Sequence, residues 1–358
     1  MNNKAVIAMS GGVDSSVAAY LMKQRGFDCI GVTMKLFANE DIGISREHSC
    51  CSLDDVEDAR SVAYSLDMPY YVFNFSDRFE TDVIDRFIHA YENGITPNPC
   101  IDCNRYLKFD KLYMRAKELD RDYVVTGHYA RVEKDENGRF LLKKALDNTK
   151  DQSYVLYCLT QEQLRHTIFP LGEMRKSQAR EIAESQGFIN ARKADSQDIC
   201  FVQNGSYVDF IEQYTGKNYP DGDFLDTNGN VIGRHKGVIR YTVGQRKGLG
   251  ISAPEPLYVK AVNRVSNTVT LSYNDGLYSS IVKAGDINLI SVPEIKGEMR
   301  VKAKVRYRHT EQWATVTQNS DTITAVFDEP QRAVTCGQAL VLYDRDTVVG
   351  GGTIIEVE

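Results

Sequence analysis

The chain has 358 residues, 42% of them hydrophobic and 26% charged. That balance suits about two or three folded domains with sizeable cores, and excludes a disordered, collagenous or coiled-coil chain. Its 43 basic residues are outnumbered by 49 acidic ones, a net charge of −6, so nucleic acid could bind only through a local basic patch. No apolar run approaches the roughly 18 residues of a membrane-spanning helix. Met1–Lys4 leads straight into a strand-like segment without a signal pattern. A cytoplasmic protein with no membrane partner is expected, its 8 cysteines reduced at rest.

In chain order, β-rich runs predict strands at 5–9, 29–34, 70–73 and 123–126, with helices between them at 15–24, 53–66, 78–91 and 105–119. This alternation predicts an open parallel sheet with helices on both faces. Helical patterns continue at 161–166 and 173–186. Turn signals then crowd Tyr219–Gly222 and Asp226–Asn230. Beyond them short strands are expected at 257–262, 268–272, 298–305, 313–318, 322–327, 339–343 and 352–357, a spacing that suits small barrels or sandwiches. The expected organisation is an α/β catalytic domain over 1–215, a β-rich domain over 216–285 and a C-terminal β-barrel over 286–358.

Ser10-Gly11-Gly12-Val13-Asp14-Ser15 follows the first strand and opens the first helix. Glycines permit a tight turn whose successive N–H groups form an anion nest, and the helix N-terminus adds a positive dipole end. Ser10 and Ser15 can donate to phosphate. Asp14 would repel it unless a Mg²⁺ ion lies between them. The Lys-Ser/Thr ending of a Walker loop and the G-x-G-x-x-G dinucleotide pattern are both absent.

The cysteines divide into two groups. Cys29 and Cys158 fall in apolar patterns and read as core, and Cys336 falls in a β-rich stretch and reads as packing. Cys100 and Cys103 lie in the Pro-rich segment Thr96–Asn104, on a turn near a helix start that favours thiolate. Cys200 lies in the polar stretch Asp195–Phe201. Three chemistries suit them: a structural zinc site completed by Cys50 and Cys51, an iron–sulfur cluster on Cys100, Cys103 and Cys200, or a redox pair.

The Ser-Gly-Gly-Val-Asp-Ser loop resembles that of the ATP pyrophosphatase superfamily, whose members split ATP to AMP and pyrophosphate on an adenine nucleotide alpha hydrolase-like sheet. Over nearly its full length the chain resembles one branch, the tRNA-specific 2-thiouridylases. The resemblance rests on Asn98-Pro99-Cys100-Ile101-Asp102-Cys103-Asn104, Thr126–Ala130, Lys150–Tyr154, Ser196–Phe201 and Gly244–Gly250. Many members carry Asp where this chain has Cys100. The resemblance implies a tRNA-uridine 2-sulfurtransferase that thiolates C2 of the wobble uridine, using ATP, Mg²⁺ and persulfide sulfur from a cysteine desulfurase or relay protein. Cys103 would be the catalytic thiol and Cys200 the persulfide carrier, joined by a disulfide after turnover. ATP would lie on Ala8, Met9, Ser10, Gly11, Gly12, Val13, Asp14 and Ser15, with Met34 and Gly127 lining adenine and ribose.

Asn98, Pro99 and Cys100 would wall the target-base pocket. His128, Lys150, Asp151 and Gln152 are expected tRNA contacts. So are Arg306 and Tyr307, in a basic, aromatic-interleaved stretch, and Gln338. Arg246 and Lys247 could grip the RNA backbone. Two other functions remain on sequence grounds: another adenylating ligase of the superfamily, and a non-catalytic RNA-binding protein with an iron–sulfur cluster. Paired thiols argue against the first, and the phosphate loop against the second.

Overall fold

A computed structural model describes residues 2–37, 53–195, 199–202 and 206–358. Cys50, Cys51 and the Ser196–Asp198 part of the second cysteine motif lie outside the described residues. The chain forms two compact units. One comprises the chain up to Val83 with Pro99–Ser206 and Asp346–Val348; the other comprises Ile84–Asn98, Tyr207–Arg345 and Val349–Glu358.

The first unit is built on strands β1 (Lys4–Ala8), β2 (Asp28–Lys35), β3 (Tyr70–Asn74), β4 (Tyr123–Val125) and a short β7 (Thr167–Ile168). They lie in the order β3-β2-β1-β4-β7, all parallel. Central β1 buries Ala5, Val6 and Ile7 in succession, as a strand covered on both faces must. Helix α1 (Val13–Gln24) packs Val17, Ala18 and Met22 into the core. It ends in a Schellman turn: the Gly26 N–H reaches Lys23 O, the Phe27 N–H reaches Met22 O, and Gly26 takes φ +77°. Helices α2 (Leu53–Ser65) and α9 (Lys176–Ser185) contribute Ala59, Val62, Ala63, Ala179 and Ala183 to the same core. The open parallel α/β sheet predicted from the sequence is the one observed.

Two expected helices contain π-turns. Helix α3 (Ser76–Phe79) passes through a π-turn at Glu80–Ile84 into α4 (Asp85–Glu92). Likewise α5 (Pro99–Asp102) leads through Cys103–Lys111 into α6 (Leu112–Glu118), so the expected 105–119 helix begins six residues early. Asn104, 1% exposed, anchors the second π-turn: its Nδ2 donates to Val155 O at 2.9 Å in α7 (Ser153–Leu156), and Lys108 donates to its Oδ1 at 3.1 Å. The hairpin β5 (Ala130–Lys134)–β6 (Phe140–Lys144) was not expected. Arg131 and Lys143 pair with Asp346, and Lys144 N–H donates to Asp346 O at 2.8 Å.

In the second unit, the turn-rich stretch after 216 holds two strands not expected, β8 (Gly222–Leu225) and β9 (Val231–His235). Asp226 closes their turn by accepting the Asn228 and Asn230 N–H groups at 2.8 Å. With β10 (Tyr258–Asn263) and β11 (Thr268–Ser272) they form a sheet in the order β10-β11-β8-β9 around Phe224, Val259 and Leu271. The remaining strands are β12 (Tyr278–Leu289), β13 (Glu298–Lys304), β14 (Gln312–Asn319), β15 (Thr322–Arg332), β16 (Ala339–Asp344) and β17 (Thr347–Val357). They run β12-β15-β14-β13-β16-β17, and β17 pairs with β12 to close a six-stranded barrel. Alternate residues point inward, among them Val301, Ala303, Ala314, Val316, Ile323, Ala325 and Phe327. Strand β12 runs through residue 285, the expected limit between the two β-rich parts. Cys336 lies in the β15–β16 connection, not in a strand, and packs against the barrel core.

Asn104→Ala removes the donor that meets the Val155 carbonyl inside the first unit. A stability loss of about 1–3 kcal/mol is expected. Urea unfolding should show a lower midpoint with an unchanged slope.

Candidate active site

The phosphate loop connects β1 to α1 and is held from behind. Met9 N–H donates to Val32 O at 2.8 Å, and Thr33 Oγ1 donates to Met9 O at 2.7 Å. Gly11 has φ +74°, and a Cβ there would lie 2.4 Å from Asp55 O, so only glycine fits. Gly12 is the N-cap of α1 and has no side chain to occupy the first helical N–H groups. Ser15 Oγ accepts from Ser10 N at 3.2 Å and donates to Gly12 O at 3.0 Å. Asn190 Nδ2 donates to Gly11 O and Ser16 Oγ, each at 2.9 Å. The loop is therefore a rigid cradle with its helix-end amides uncapped by side chains.

Gly127, just beyond β4, lies directly on this loop. A Cβ at that position would be 2.7 Å from the Asp14 carbonyl carbon and 2.8 Å from Ser15 N. The two expected nucleotide-binding segments of β1 and β4 thus meet. Met34 lies half-buried near the end of neighbouring β2.

Asp14 is the electrostatic centre of the unit. Lys176 Nζ donates to its Oδ1 at 2.8 Å and its Oδ2 at 2.7 Å, and Tyr129 Oη donates to Oδ1 at 2.8 Å. Lys176 also meets Asp195 Oδ1 at 2.7 Å. Asp195 receives Lys150 at 2.8 Å on Oδ2 and Arg180 at 3.0 Å on Oδ1. Burial pushes the Asp195 carboxyl upward, but hydrogen bonds from Lys150 and Lys176 outweigh it and hold its pKa at about 2. Burial and the Asp14 charge push the Tyr129 phenol far upward, so it stays a hydrogen-bond donor.

Sequence reasoning missed Lys176, Asn190 and Tyr129. Lys176 had one legible signal: it is a lysine at the first position of a helix, where the dipole disfavours a cation. Asp14 and Asp195 offset that cost.

The cysteines separate by environment. All six described cysteines are thiols. Burial raises Cys29 to about 11 and Cys158 to about 12, as inert core thiols. Cys103 is 8% exposed at the start of the π-turn, while Cys100, one turn of α5 earlier, is exposed. Cys200 is half-buried in a turn closed by the Val202 N–H to Ile199 O bond at 2.9 Å. Phe201 pins that turn by packing edge-on against Phe79, ring centroids 5.6 Å apart. Among the described residues no three Cys, His, Asp or Glu side chains converge on a metal site. Cys100, Cys103 and Cys200 therefore do not form the ligand set expected for an iron–sulfur cluster. Magnesium needs only one or two carboxylates besides phosphate oxygens, and Asp14, at the helix end of the cradle, fits that role.

The expected RNA contacts have internal partners. His128 shares a 2.7 Å hydrogen bond with Thr126 and packs between Phe109 and Phe169. Burial, helped by the Lys108 charge, pushes its pKa well below the usual histidine value, so it is neutral at physiological pH. Gln152 is tied to the Tyr129 backbone by two 2.9 Å bonds. Asp151 accepts Ala145 and Ser153 N–H groups, and Lys150 is ion-paired as above.

In the second unit, Gln338 Nε2 donates to Thr96 O at 2.9 Å and Pro97 O at 3.1 Å. Thr96 N–H donates to Cys336 O at 3.0 Å, and a Cβ on Gly337 would meet Ile95 at 2.3 Å. Arg306 donates to the Val243 and Ala333 carbonyls and to Thr335 Oγ1. Arg306 and Gln338 thus brace the connection that supports residues 95–98, directly before Pro99. Asn98 ends that braced segment, and Tyr307 is exposed beside Arg306.

Three family models cover the chain: a tRNA methyl transferase HUP domain over residues 3–204, a PRC-barrel domain over 208–273 and an aminomethyltransferase β-barrel domain over 279–354. The chain is 51% identical over 356 residues to the tRNA-specific 2-thiouridylase MnmA of Clostridioides difficile, covering 99% of this chain and 98% of that one. The chain belongs to the tRNA-specific 2-thiouridylase family. It is an enzyme of that family. Further members include MnmA of Lachnoclostridium phytofermentans, 51% identical with 99% of each chain covered. MnmA 1 of Thermoanaerobacter sp. is also 51% identical, covering 99% of this chain and 98% of that one. Among the described residues no helix is long and apolar enough to cross a membrane.

Gly127→Ala in this 2-thiouridylase-family chain forces the phosphate loop to shift. Overpacking of about 1–3 kcal/mol is expected, read as a lower melting temperature. Calorimetry with a non-cleavable ATP analogue should show weaker binding.

Proposed function

We propose that this protein thiolates C2 of the wobble uridine of tRNA in the cytoplasm, consuming ATP and persulfide sulfur. One observation carries the reading. The braced phosphate loop and the two motif thiols, Cys103 and Cys200, belong to one compact unit, in a chain half-identical over its full length to tRNA-specific 2-thiouridylases. A ligase that delivers nitrogen needs neither thiol. The domain reading is three-part: catalysis in the α/β part, support for the base-binding segment in the two β-rich parts.

The chemistry begins with a poor electrophile. The uracil C2 oxygen attacks the α-phosphorus of ATP and pyrophosphate leaves. The oxygen becomes part of a good leaving group, AMP. The uncapped amides at Gly12–Asp14, with Ser10 and Ser15, suit the polyphosphate, and Met34 and Gly127 suit the nucleoside. Bound Mg²⁺ would neutralise phosphate charge beside Asp14.

Sulfur arrives as a persulfide on Cys200, from a cysteine desulfurase or relay protein. By one route the Cys103 thiolate attacks the Cys200 sulfur, freeing hydrosulfide, which displaces AMP from C2. By the other the outer persulfide sulfur displaces AMP first, and Cys103 then attacks the Cys200 sulfur to free thiouridine. Both routes reduce one sulfane sulfur by two electrons and oxidise two thiols to a Cys103–Cys200 disulfide, which an external thiol must reduce. The anticodon base has to leave its stack, at a cost of roughly a few kcal/mol. Asn98, Pro99 and Cys100 would receive it, with Asn98 reading the uracil edge; Tyr307 would stack on a splayed anticodon base.

Cys103→Ser and Cys200→Ser are each expected to abolish thiouridine formation with a persulfide donor, read by nucleoside mass spectrometry. Cys103→Ser also separates the routes. A covalent tRNA–Cys200 adduct, cleaved by dithiothreitol, marks the second route; unreacted persulfide with no adduct marks the first. Normal thiouridine yield from either variant would contradict the two-thiol mechanism.

A further inference from the structure

We propose that Cys100 is a resolving thiol: after turnover it displaces Cys200 from Cys103 and exposes the resulting Cys100–Cys103 disulfide to reductant. The proposal rests on the two-thiol reading above, in which each turnover leaves Cys103 and Cys200 joined. That reading uses two of the three motif thiols and gives Cys100 only a place in the wall of the base pocket.

The three thiols belong to one compact unit but differ in access. Cys103 is 8% exposed, Cys200 is half-buried and Cys100 is exposed. The chain on both sides of Cys103 is anchored: Ile101 O accepts the Cys158 thiol at 3.7 Å, and Asn104 Nδ2 donates to Val155 O at 2.9 Å. A disulfide on Cys103 is therefore shielded at that end. Cys100 lies in α5 and Cys103 opens the π-turn that continues it, three residues on. Side chains three apart on a helix share a face, with Cβ atoms about 5–6 Å apart. Disulfides need Cβ atoms about 3.5–4.5 Å apart, so the turn has to tighten by only about 1–2 Å. Cys158, the thiol behind Ile101, cannot take this role, because burial raises its pKa to about 12.

The exchange balances without a further oxidant. The Cys100 thiolate attacks the Cys103 sulfur, the Cys103–Cys200 bond breaks, and Cys200 leaves as thiolate to take up the proton that Cys100 released. One S–S bond forms as one breaks, so no net electrons move. An external dithiol then attacks the exposed Cys100 sulfur, becomes a disulfide itself, and returns Cys100 and Cys103 to thiols. Reduction and sulfur loading thus use different sulfurs, and Cys200 is free for the next persulfide before reduction is complete.

Disulfide mapping tests this without reference to activity. Reduced full-length protein is oxidised with limiting diamide, quenched in acid, alkylated and mapped by peptide mass spectrometry. Cys200→Ser should form Cys100–Cys103, and Cys100→Ser should form Cys103–Cys200. The wild type should hold mainly Cys100–Cys103, with Cys200 alkylated. Thioredoxin should reduce oxidised Cys100→Ser several-fold more slowly than the oxidised wild type. A residue that only walls a pocket would change neither the map nor this rate. Wild type that holds Cys103–Cys200 with Cys100 alkylated overturns the proposal and leaves the two-thiol reading standing. So does Cys200→Ser without a Cys100–Cys103 bond, or Cys100→Ser reduced as fast as wild type. If Cys100→Ser forms no Cys103–Cys200 bond, the two-thiol reading fails and the proposal falls with it. A destabilised Cys100→Ser is replaced by Cys100→Ala under the same criteria.

Discussion

A buried lysine between two carboxylates governs the first unit. Lys176 is 8% exposed and bonds both oxygens of Asp14 and one of Asp195. An ammonium group survives such burial only with charged partners, and losing one partner of a buried pair typically costs about 3–5 kcal/mol. The pair therefore fixes the N-terminus of α9 against the N-terminus of α1. The phosphate loop lies between this clamp and β1, with Gly127 pressed on it and Asn190 holding it from behind. Tyr129 extends the same network, because its phenol serves Asp14 and its backbone is tied to Gln152. One ion pair thus orders the loop at which ATP chemistry is proposed and the residues around it.

The second unit repeats this logic with backbone acceptors in place of charges. Arg306 orders the β15–β16 connection through two carbonyls and the Thr335 hydroxyl, and Gln338 passes that order to Thr96 and Pro97. Within that unit, Ile95, Thr96 and Pro97 are held by Gly337, Cys336 and Gln338. A residue type associated with nucleic-acid binding can thus serve RNA indirectly, by shaping the loop beside the base.

The parallel sheet was legible because its central strands are unbroken apolar runs, as in Ala5–Ile7. The phosphate loop was legible because glycine, serine and aspartate at a strand–helix junction permit few other readings. The β5–β6 hairpin was hidden: Arg131, Glu133, Lys134, Lys143 and Lys144 carry little alternation, and their partners include Asp346, some two hundred residues away. The π-turns were hidden because one inserted residue shifts the helical period without changing composition. Strands β8 and β9 were hidden because their turn signals were stronger than their short apolar content. In the site, motif residues could be named from the sequence, but their partners could not. Lys150, Gln152, Arg306 and Gln338 read as surface groups and prove to be bonded within the protein.

The central claim is that the braced loop activates a base oxygen, and an isotope label tests it most directly. A tRNA carrying ¹⁸O at C2 of its wobble uridine is thiolated in a single turnover with ATP and a persulfide donor. Displacement of the adenylated oxygen requires the released AMP to carry one ¹⁸O on phosphorus, in amounts equal to the thiouridine formed. Unlabelled AMP alongside thiouridine would contradict the account, because the oxygen would then have left C2 without passing through the nucleotide.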